Sequence, residues 1–200
     1  MRKFVIIVTI VLLPLVVVAQ EAPKTEIFGG YSYLRNSGNS FNGWEGQGTV
    51  NFNRYLGVTA DVSGHYRNAV AFTPVTGVSL TANQRLYNFL FGPTLTARFG
   101  KHAAFGHALF GAAHSSLSAG VSVPIIGGIS TNVTSGTAFA MALGGGIDIG
   151  LTQRFAIRAA QLDYLYTNFN ALDALAGGLS SGTSGHQNSF RYSGGGVIRF

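Results

Sequence analysis

The chain is expected to be all-β, with eight antiparallel strands joined up and down and closed into a barrel. Three observations predict this. Large apolar side chains recur at every second position over much of the chain, which is the period of a strand. The links between these stretches alternate short and long, the rhythm of a barrel with tight turns at one rim and larger loops at the other. A β-sandwich shows no such parity. Finally, the 200 residues are 46% hydrophobic and only 10% charged, with 28 Gly, 15 Phe, 8 Tyr and no Cys. An ordinary soluble domain carries roughly 25% charged residues. The composition excludes intrinsic disorder, and the lack of sulfur excludes a disulfide scaffold or a thiolate metal site. The length suits one domain.

Residues 1–19 read as a cleaved signal peptide. Arg2 and Lys3 precede an apolar run from Phe4 to Val18, and Val17-Val18-Ala19 supplies a cleavage site. The run is shorter than the ~20 residues of a spanning helix, and Pro14 interrupts it. Without Arg2 and Lys3, 11 basic and 7 acidic side chains remain, a balance of +4. That modest charge, with no Lys/Arg run, is not a nucleic-acid signature. Residues 20–26 form a short polar lead-in to a barrel domain spanning 27–200.

The strands are placed at about 27–35, 44–53, 56–67, 84–98, 103–114, 136–149, 154–166 and 188–200. In the second, Trp44, Val50 and Phe52 alternate with Glu45, Gln47, Thr49 and Asn51. In the third, Leu56, Val58, Ala60 and Val62 alternate with Thr59, Asp61, Ser63 and His65. The fourth sets Tyr87, Phe89, Phe91, Leu95 and Phe99 against Asn88, Leu90, Gly92, Thr94, Thr96 and Arg98. The fifth, 103–114, is ambiguous, because Phe105 and Phe110 fall on opposite faces. The sixth opposes Phe139, Met141, Leu143, Ile147 and Ile149 to Ala138, Ala140, Ala142, Gly144, Gly146 and Asp148. The seventh needs a bulge near Ala159–Ala160 to place Arg158 and Asp163 on one face. The eighth sets Phe190, Tyr192, Ile198 and Phe200 against Arg191, Ser193 and Arg199. The longer links fall near 36–43, 68–83, 115–135 and 167–187, with a turn of helix expected at Ala171–Ala176.

Facing decides the environment. A soluble eight-stranded barrel turns its large apolar residues inward, as a lipocalin does, whereas a membrane barrel turns them to lipid. Here the apolar face holds too many large rings for a small lumen, and the opposite face is rich in Gly, Ala, Ser and Thr. That second face also carries Glu45, Asp61, Asp148 and Asp163 against Arg98, Arg158, Arg191 and Arg199. Four of each sign suit a salt-bridged interior, since an unpaired buried charge is very costly. A transmembrane β-barrel in contact with outer-membrane lipids is therefore expected, with short periplasmic turns and longer extracellular loops. Trp44, Tyr33, Tyr66, Tyr87, Tyr164, Tyr166 and Tyr192 are candidates for interfacial girdles.

The segment Phe190-Arg-Tyr-Ser-Gly-Gly-Gly-Val-Ile-Arg-Phe200 resembles the C-terminal signature of Gram-negative outer-membrane barrels. The resemblance implies that Phe190, Tyr192, Ile198 and Phe200 form a signal read by the barrel assembly machinery. Phe28-Gly-Gly-Tyr-Ser-Tyr-Leu34, Gly145-Gly-Gly-Ile-Asp-Ile149 and Asp163-Tyr-Leu-Tyr-Thr167 also look like the small opacity/OmpA-type, OmpX-like barrel family. The resemblance covers roughly 27–200 and implies localisation in the outer membrane. No peptidoglycan-binding domain is expected after Phe200.

Some small outer-membrane barrels modify lipid A, and His114-Ser115-Ser116 looks superficially like the His-x-Ser pair of the deacylases. A carboxylate orienter should follow, yet no Glu lies beyond Glu45. Five scattered His without ligand spacing suggest no metal site. Gly144–Gly146 lies within strand pattern rather than between strand and helix, so it is no phosphate cradle. The expected function is therefore a non-enzymatic barrel with a side-chain-filled lumen and no cofactor. Its surface loops would serve structural, adhesive or partner-binding roles. A narrow small-solute channel is the alternative, with a lipid A-modifying enzyme behind it.

Overall fold

The computed structural model describes residues 23–36, 39–75, 78–123, 127–168 and 186–200. The signal segment 1–19, the cleavage site and the expected helical turn at 171–176 lie outside the described residues. Eight strands follow in chain order. They are β1 (Thr25–Asn36), β2 (Asn39–Asn51), β3 (Leu56–Val75), β4 (Val78–Phe99), β5 (His102–Val123), β6 (Gly127–Gly150), β7 (Phe155–Asn168) and β8 (His186–Arg199). Every neighbouring pair is antiparallel, and β1 pairs with both β2 and β8, so the sheet closes into an all-β, up-and-down barrel. Closure leaves no free edge around the body, the condition under which a sheet is stable in lipid.

The three short turns are built by local chemistry. In the β2–β3 turn, Asn53 Oδ1 accepts from the backbone N–H of Tyr55 and Leu56, both at 2.8 Å. In the β6–β7 turn, Thr152 Oγ1 does the same for Arg154 and Phe155, at 3.3 and 3.0 Å. Such side-chain caps replace ladder bonds where the chain reverses. Gly100 in the β4–β5 turn adopts φ 61°, a left-handed conformation that glycine takes without strain.

The strands differ in extent from the sequence expectation. β1 begins at Thr25, inside the segment read as lead-in, and β2 begins at Asn39 rather than 44. The larger difference lies in β3 to β6. The links expected at 68–83 and 115–135 are mostly ladder: β3 pairs with β4 up to Val75 opposite Val78, and β5 with β6 up to Val123 opposite Gly127. β4 continues with β5 to Ser79 opposite Ser122. The flanking pairings stop earlier, with β2–β3 at Asn42 opposite Tyr66 and β6–β7 at Phe139 opposite Asn168. Four strands therefore continue past the barrel as a projecting sheet. Away from lipid, neither face of a strand must be apolar, so the alternation that reveals strands fades while the backbone ladder persists.

Side-chain polarity is inverted relative to a soluble barrel. Phe89, Phe91, Leu95, Leu143 and Leu162 point outward and are exposed, whereas Glu45, Asp61, Asp163 and Arg191 are buried inside. The bulge at Ala159–Ala160 is present: Arg158 lies opposite Gly195, and Gln161 opposite Ser193. It turns Arg158 and Asp163 to the same side, and both are buried. The ambiguity at 103–114 resolves with Phe110 exposed and Phe105 beneath Arg158 in the lumen.

Close approach explains several glycines. A Cβ at Gly144 would collide with Asp163 Oδ1 and with the carbonyl of Leu162, whereas one at Gly48 would meet nothing within 4 Å. Gly144→Ala is therefore expected to destabilise the barrel by ~1–3 kcal/mol through overpacking. Gly48→Ala should stay within ~0.5 kcal/mol of the parent. Urea midpoints of the two variants refolded in detergent check this, and equal midpoints would contradict the packing at Gly144.

Candidate functional site

The lumen carries the only dense constellation of polar chemistry among the described residues. Its centre is Arg191 on β8, fully buried. Its guanidinium reaches Asp61 on β3 through two nitrogens, each at 3.0 Å. It also meets Asp163 on β7 at 2.7 and 2.9 Å, and Glu45 on β2 at 3.3 Å. Three carboxylates thus converge on one planar, five-donor group. β8 is bonded only to β1 and β7 through the backbone, so the contacts to Asp61 and Glu45 cross the lumen.

Arg158 forms a second centre, nearer the short-turn rim. Its Nε donates to Asp148 at 2.8 Å, and its Nη1 donates to Gln47 at 2.6 Å and Gln161 at 2.7 Å. The guanidinium is sandwiched between Phe28 at 4.2 Å and Phe105 at 4.1 Å from the ring centroids. Stacking suits a weakly hydrated guanidinium, which loses less on burial than an ammonium would. Gln47 and Gln161 couple the two centres. Each turns its carbonyl oxygen to Arg158 and its amide N–H to the carboxylates around Arg191. Gln47 donates to Glu45 at 2.6 Å and Asp61 at 2.9 Å, and Gln161 donates to Glu45 at 2.7 Å and Asp163 at 2.8 Å.

At the short-turn rim, Glu26 bridges Arg98 and Arg199, and Arg199 also lies 3.5 Å from Asp148. The eight charged residues singled out from the sequence, Glu45, Asp61, Arg98, Asp148, Arg158, Asp163, Arg191 and Arg199, are thus brought into one lumen. The even count of four and four is revised. Glu26 adds a fifth carboxylate, against the four arginines that the lumen holds among the described residues. Sequence reasoning missed it by assigning it to the lead-in, although it alternates in phase with Phe28, Ser32 and Leu34. It also missed Gln47 and Gln161 as connectors, and His107, which lies 2.8 Å from Asp163.

Toward the long hairpins the interior turns apolar. Leu34, Phe41, Leu90, Leu109, Ala113, Ala140, Ala142 and Leu165 form one buried cluster, joined by Leu86. These residues come from β1, β2, β4, β5, β6 and β7. The lumen is therefore not uniformly polar, and Ala142, read as facing a polar interior, packs in this cluster instead. The reason is geometric: the charges concentrate toward one half, and Leu side chains fill what small residues would leave void. The cavity between Glu26, Gln47, Thr94 and Arg158 measures about 10 Å³, on the order of one water.

The remaining candidates lie elsewhere. Phe190, Tyr192, Ile198 and Phe200 project outward and are exposed along β8 and its end. His114 hydrogen-bonds Thr137 at 2.9 Å on the exposed surface, and no described carboxylate orients it. Trp44, Tyr66 and Tyr87 form a linked aromatic group on the outer face, with hydroxyl and indole contacts of 3.3–3.4 Å.

Removing a buried cation from this network should be costly. Arg191→Met and Arg158→Ala are each expected to cost ~3–5 kcal/mol, because carboxylates stay buried without their partner. Arg67→Ala, at a half-exposed position high on β3, should cost ~0–1 kcal/mol. Denaturant midpoints in detergent measure the difference, and three equal values would refute the network's structural weight.

No known family model matches the chain, and no curated protein sequence does. Solved structures do. The attachment invasion locus protein Ail of Yersinia pestis, in complex with the heparin analogue sucrose octasulfate, superimposes with a TM-score of 0.55 at 18% identity, over 90% of this chain and 99% of Ail. A second Ail structure gives a TM-score of 0.50 at the same identity and coverage. The N-terminal barrel domain of Pseudomonas aeruginosa OprF is also similar, at 9% identity and a TM-score of 0.41 over 90% of this chain and 100% of that domain. With its closed eight-stranded topology, its apolar exterior and the charges buried in its lumen, the chain has the fold of the small outer-membrane β-barrels.

Proposed function

We propose that this protein is an exported, non-enzymatic outer-membrane barrel whose filled body anchors a projecting sheet for contact with a partner outside the membrane. The observation that carries this reading is the continuation of β3 to β6 beyond the last pairings of β2 and β7. Residues 1–19 are read as the export signal, and the short turns as periplasmic. The outward face of β8, with Phe190, Tyr192, Ile198 and Phe200, is read as the face presented to the assembly machinery. Lipid covers the exposed apolar belt, since so large an apolar surface on a soluble monomer would drive association.

Solute passage is disfavoured. A permeant would have to displace Arg191 from three carboxylates and then pass the packed leucine cluster. Catalysis by His114 is disfavoured because its partner is Thr137 rather than a carboxylate. The Ail structure holds a sulfated sugar, which makes immobilised sulfated glycans one reasonable probe for the projecting sheet.

Cell fractionation with a heat-modifiability gel tests the location. The protein should appear in the outer-membrane fraction and shift in mobility on heating, and recovery in a soluble fraction would overturn the reading. Replacing 68–83 with a short turn should leave that behaviour intact while removing adhesion to the partner surface. Two further outcomes are expected. Purified protein in planar bilayers should give no sustained channels, and steady conductance would instead promote the channel. Leu143→Arg, at an outward position, should cost ~2–4 kcal/mol of insertion, read as folding yield in lipid vesicles, and an unchanged yield would refute its contact with lipid.

A further inference from the structure

Every side-chain carboxylate among the described residues, Glu26, Glu45, Asp61, Asp148 and Asp163, is buried in the lumen. Lys24, Arg35, Arg85, Lys101 and Arg154 are exposed. The lumen therefore holds all the described side-chain carboxylates, and the side-chain charge left outside is cationic. It is densest at the short-turn rim, where Lys24, Arg54, Lys101 and Arg154 lie in or beside the turns and the start of β1.

An open groove of about 1,080 Å³ lies on this rim, between the start of β1, the β2–β3 turn and the β6–β7 turn. Its walls combine Lys24, Arg54 and Arg154 with Val50, Phe52 and Phe200. The three apolar side chains are 52%, 72% and 67% exposed. The groove is preorganised. Asn53 and Thr152 cap the two turns that carry Arg54 and Arg154. Arg98 holds the carbonyl of Arg54 at 2.6 Å, and the Arg54 guanidinium lies 5.1 Å from the Tyr55 ring centroid.

Cations beside exposed apolar side chains, at the edge of an apolar belt, match one kind of ligand: an amphiphile with an anionic head and apolar tails. We propose that this groove binds an anionic phospholipid of the leaflet facing the short turns. Lys24, Arg54 and Arg154 hold its phosphodiester, and its acyl chains lie along Val50, Phe52 and Phe200. Guanidinium groups pair with phosphate oxygens through two parallel N–H donors, and each cation near a lipid surface favours anionic lipid by about fivefold. A zwitterionic headgroup brings its own ammonium to a rim whose described side-chain carboxylates, Glu26 and Asp148, are buried and already paired with Arg98, Arg158 and Arg199. The proposal rests on the membrane reading above.

The test uses the full chain refolded into vesicles of phosphatidylcholine, alone or mixed with phosphatidylglycerol as the minor component. Native mass spectrometry after detergent extraction counts the lipid retained. The parent should retain phosphatidylglycerol out of proportion to its abundance. The triple variant Lys24→Gln, Arg54→Gln, Arg154→Gln should lower that preference by about a hundredfold. Arg154→Gln alone should give a smaller loss and guards against misfolding of the triple variant. Arg35→Gln with Arg85→Gln, at the far end of the strands, should leave the preference within about twofold. Equal retention of both lipids by the parent, an unmoved triple variant, or an equal loss in the far-end pair would each overturn the site. Failure to insert into either vesicle would overturn the membrane reading itself, whereas insertion without lipid preference overturns this proposal alone.

Discussion

A barrel of eight strands encloses a space too narrow for water to run through and too wide to leave empty. In this chain the space is organised around Arg191. Its guanidinium touches Glu45, Asp61 and Asp163, which come from strands that share no backbone ladder with β8 apart from β7. Hydrogen bonds within the sheet tie each strand only to its neighbours, so they close the barrel without bracing it across. The lumenal side chains supply that bracing: Arg191 to β2 and β3, Arg158 to β2 through Gln47, and Glu26 on β1 to Arg98 on β4. Buried ion pairs contribute little net stability when replaced wholesale, yet losing one partner is costly. The network therefore acts mainly on specificity, since a shift in strand register would separate charges that have no other partner in the interior.

The same demand accounts for the small residues. Long arginine and glutamine side chains fill the lumen only if the positions between them carry almost nothing. Gly144 shows the limit, because Asp163 occupies the place its Cβ would take. The leucine cluster toward the long hairpins is the complementary solution: where no charge needs a partner, Leu34, Leu90, Leu109 and Leu165 fill the width themselves. The interior is filled from end to end, with the charges toward the short turns and the leucine cluster toward the long hairpins packed beside buried polar side chains such as Ser63, His65 and Asn88.

Much of this was legible in the sequence, for a physical reason. Lipid on one side and a narrow interior on the other force a strict alternation, and Phe89 through Phe99 or Phe190 through Phe200 display it without ambiguity. Even the bulge at Ala159–Ala160 could be read, because Arg158 and Asp163 could not otherwise share a face. Legibility failed where that constraint lapses. Residues 68–75 and 127–135 carry only a weak alternation without the large outward rings of the barrel body, so ladder was read as loop. Glu26 was missed because a single residue at the edge of a strand has too little pattern around it. The inward leucines were missed for a different reason: an interior read as polar leaves no place for Leu90, although its position in the alternation already put it there.

The continuity of β3 to β6 connects the two environments. Strands that are braced inside the membrane by Asp61, Arg98, His107 and Asp148 pass without a break into the projecting sheet. A loop of the same length would have to be ordered on contact, at ~1–2 kcal/mol per backbone residue fixed. A paired ladder has already met that cost on folding, so a partner would meet a surface whose backbone is set in advance. The filled lumen serves this arrangement. A barrel that must open for solutes needs mobile side chains near its axis, whereas one that holds a sheet at a fixed angle to the membrane benefits from an interior with no slack. Under the proposed function, the cross-lumen bracing and the extended hairpins would work together, the rigidity built around Arg191 serving contact beyond the bilayer.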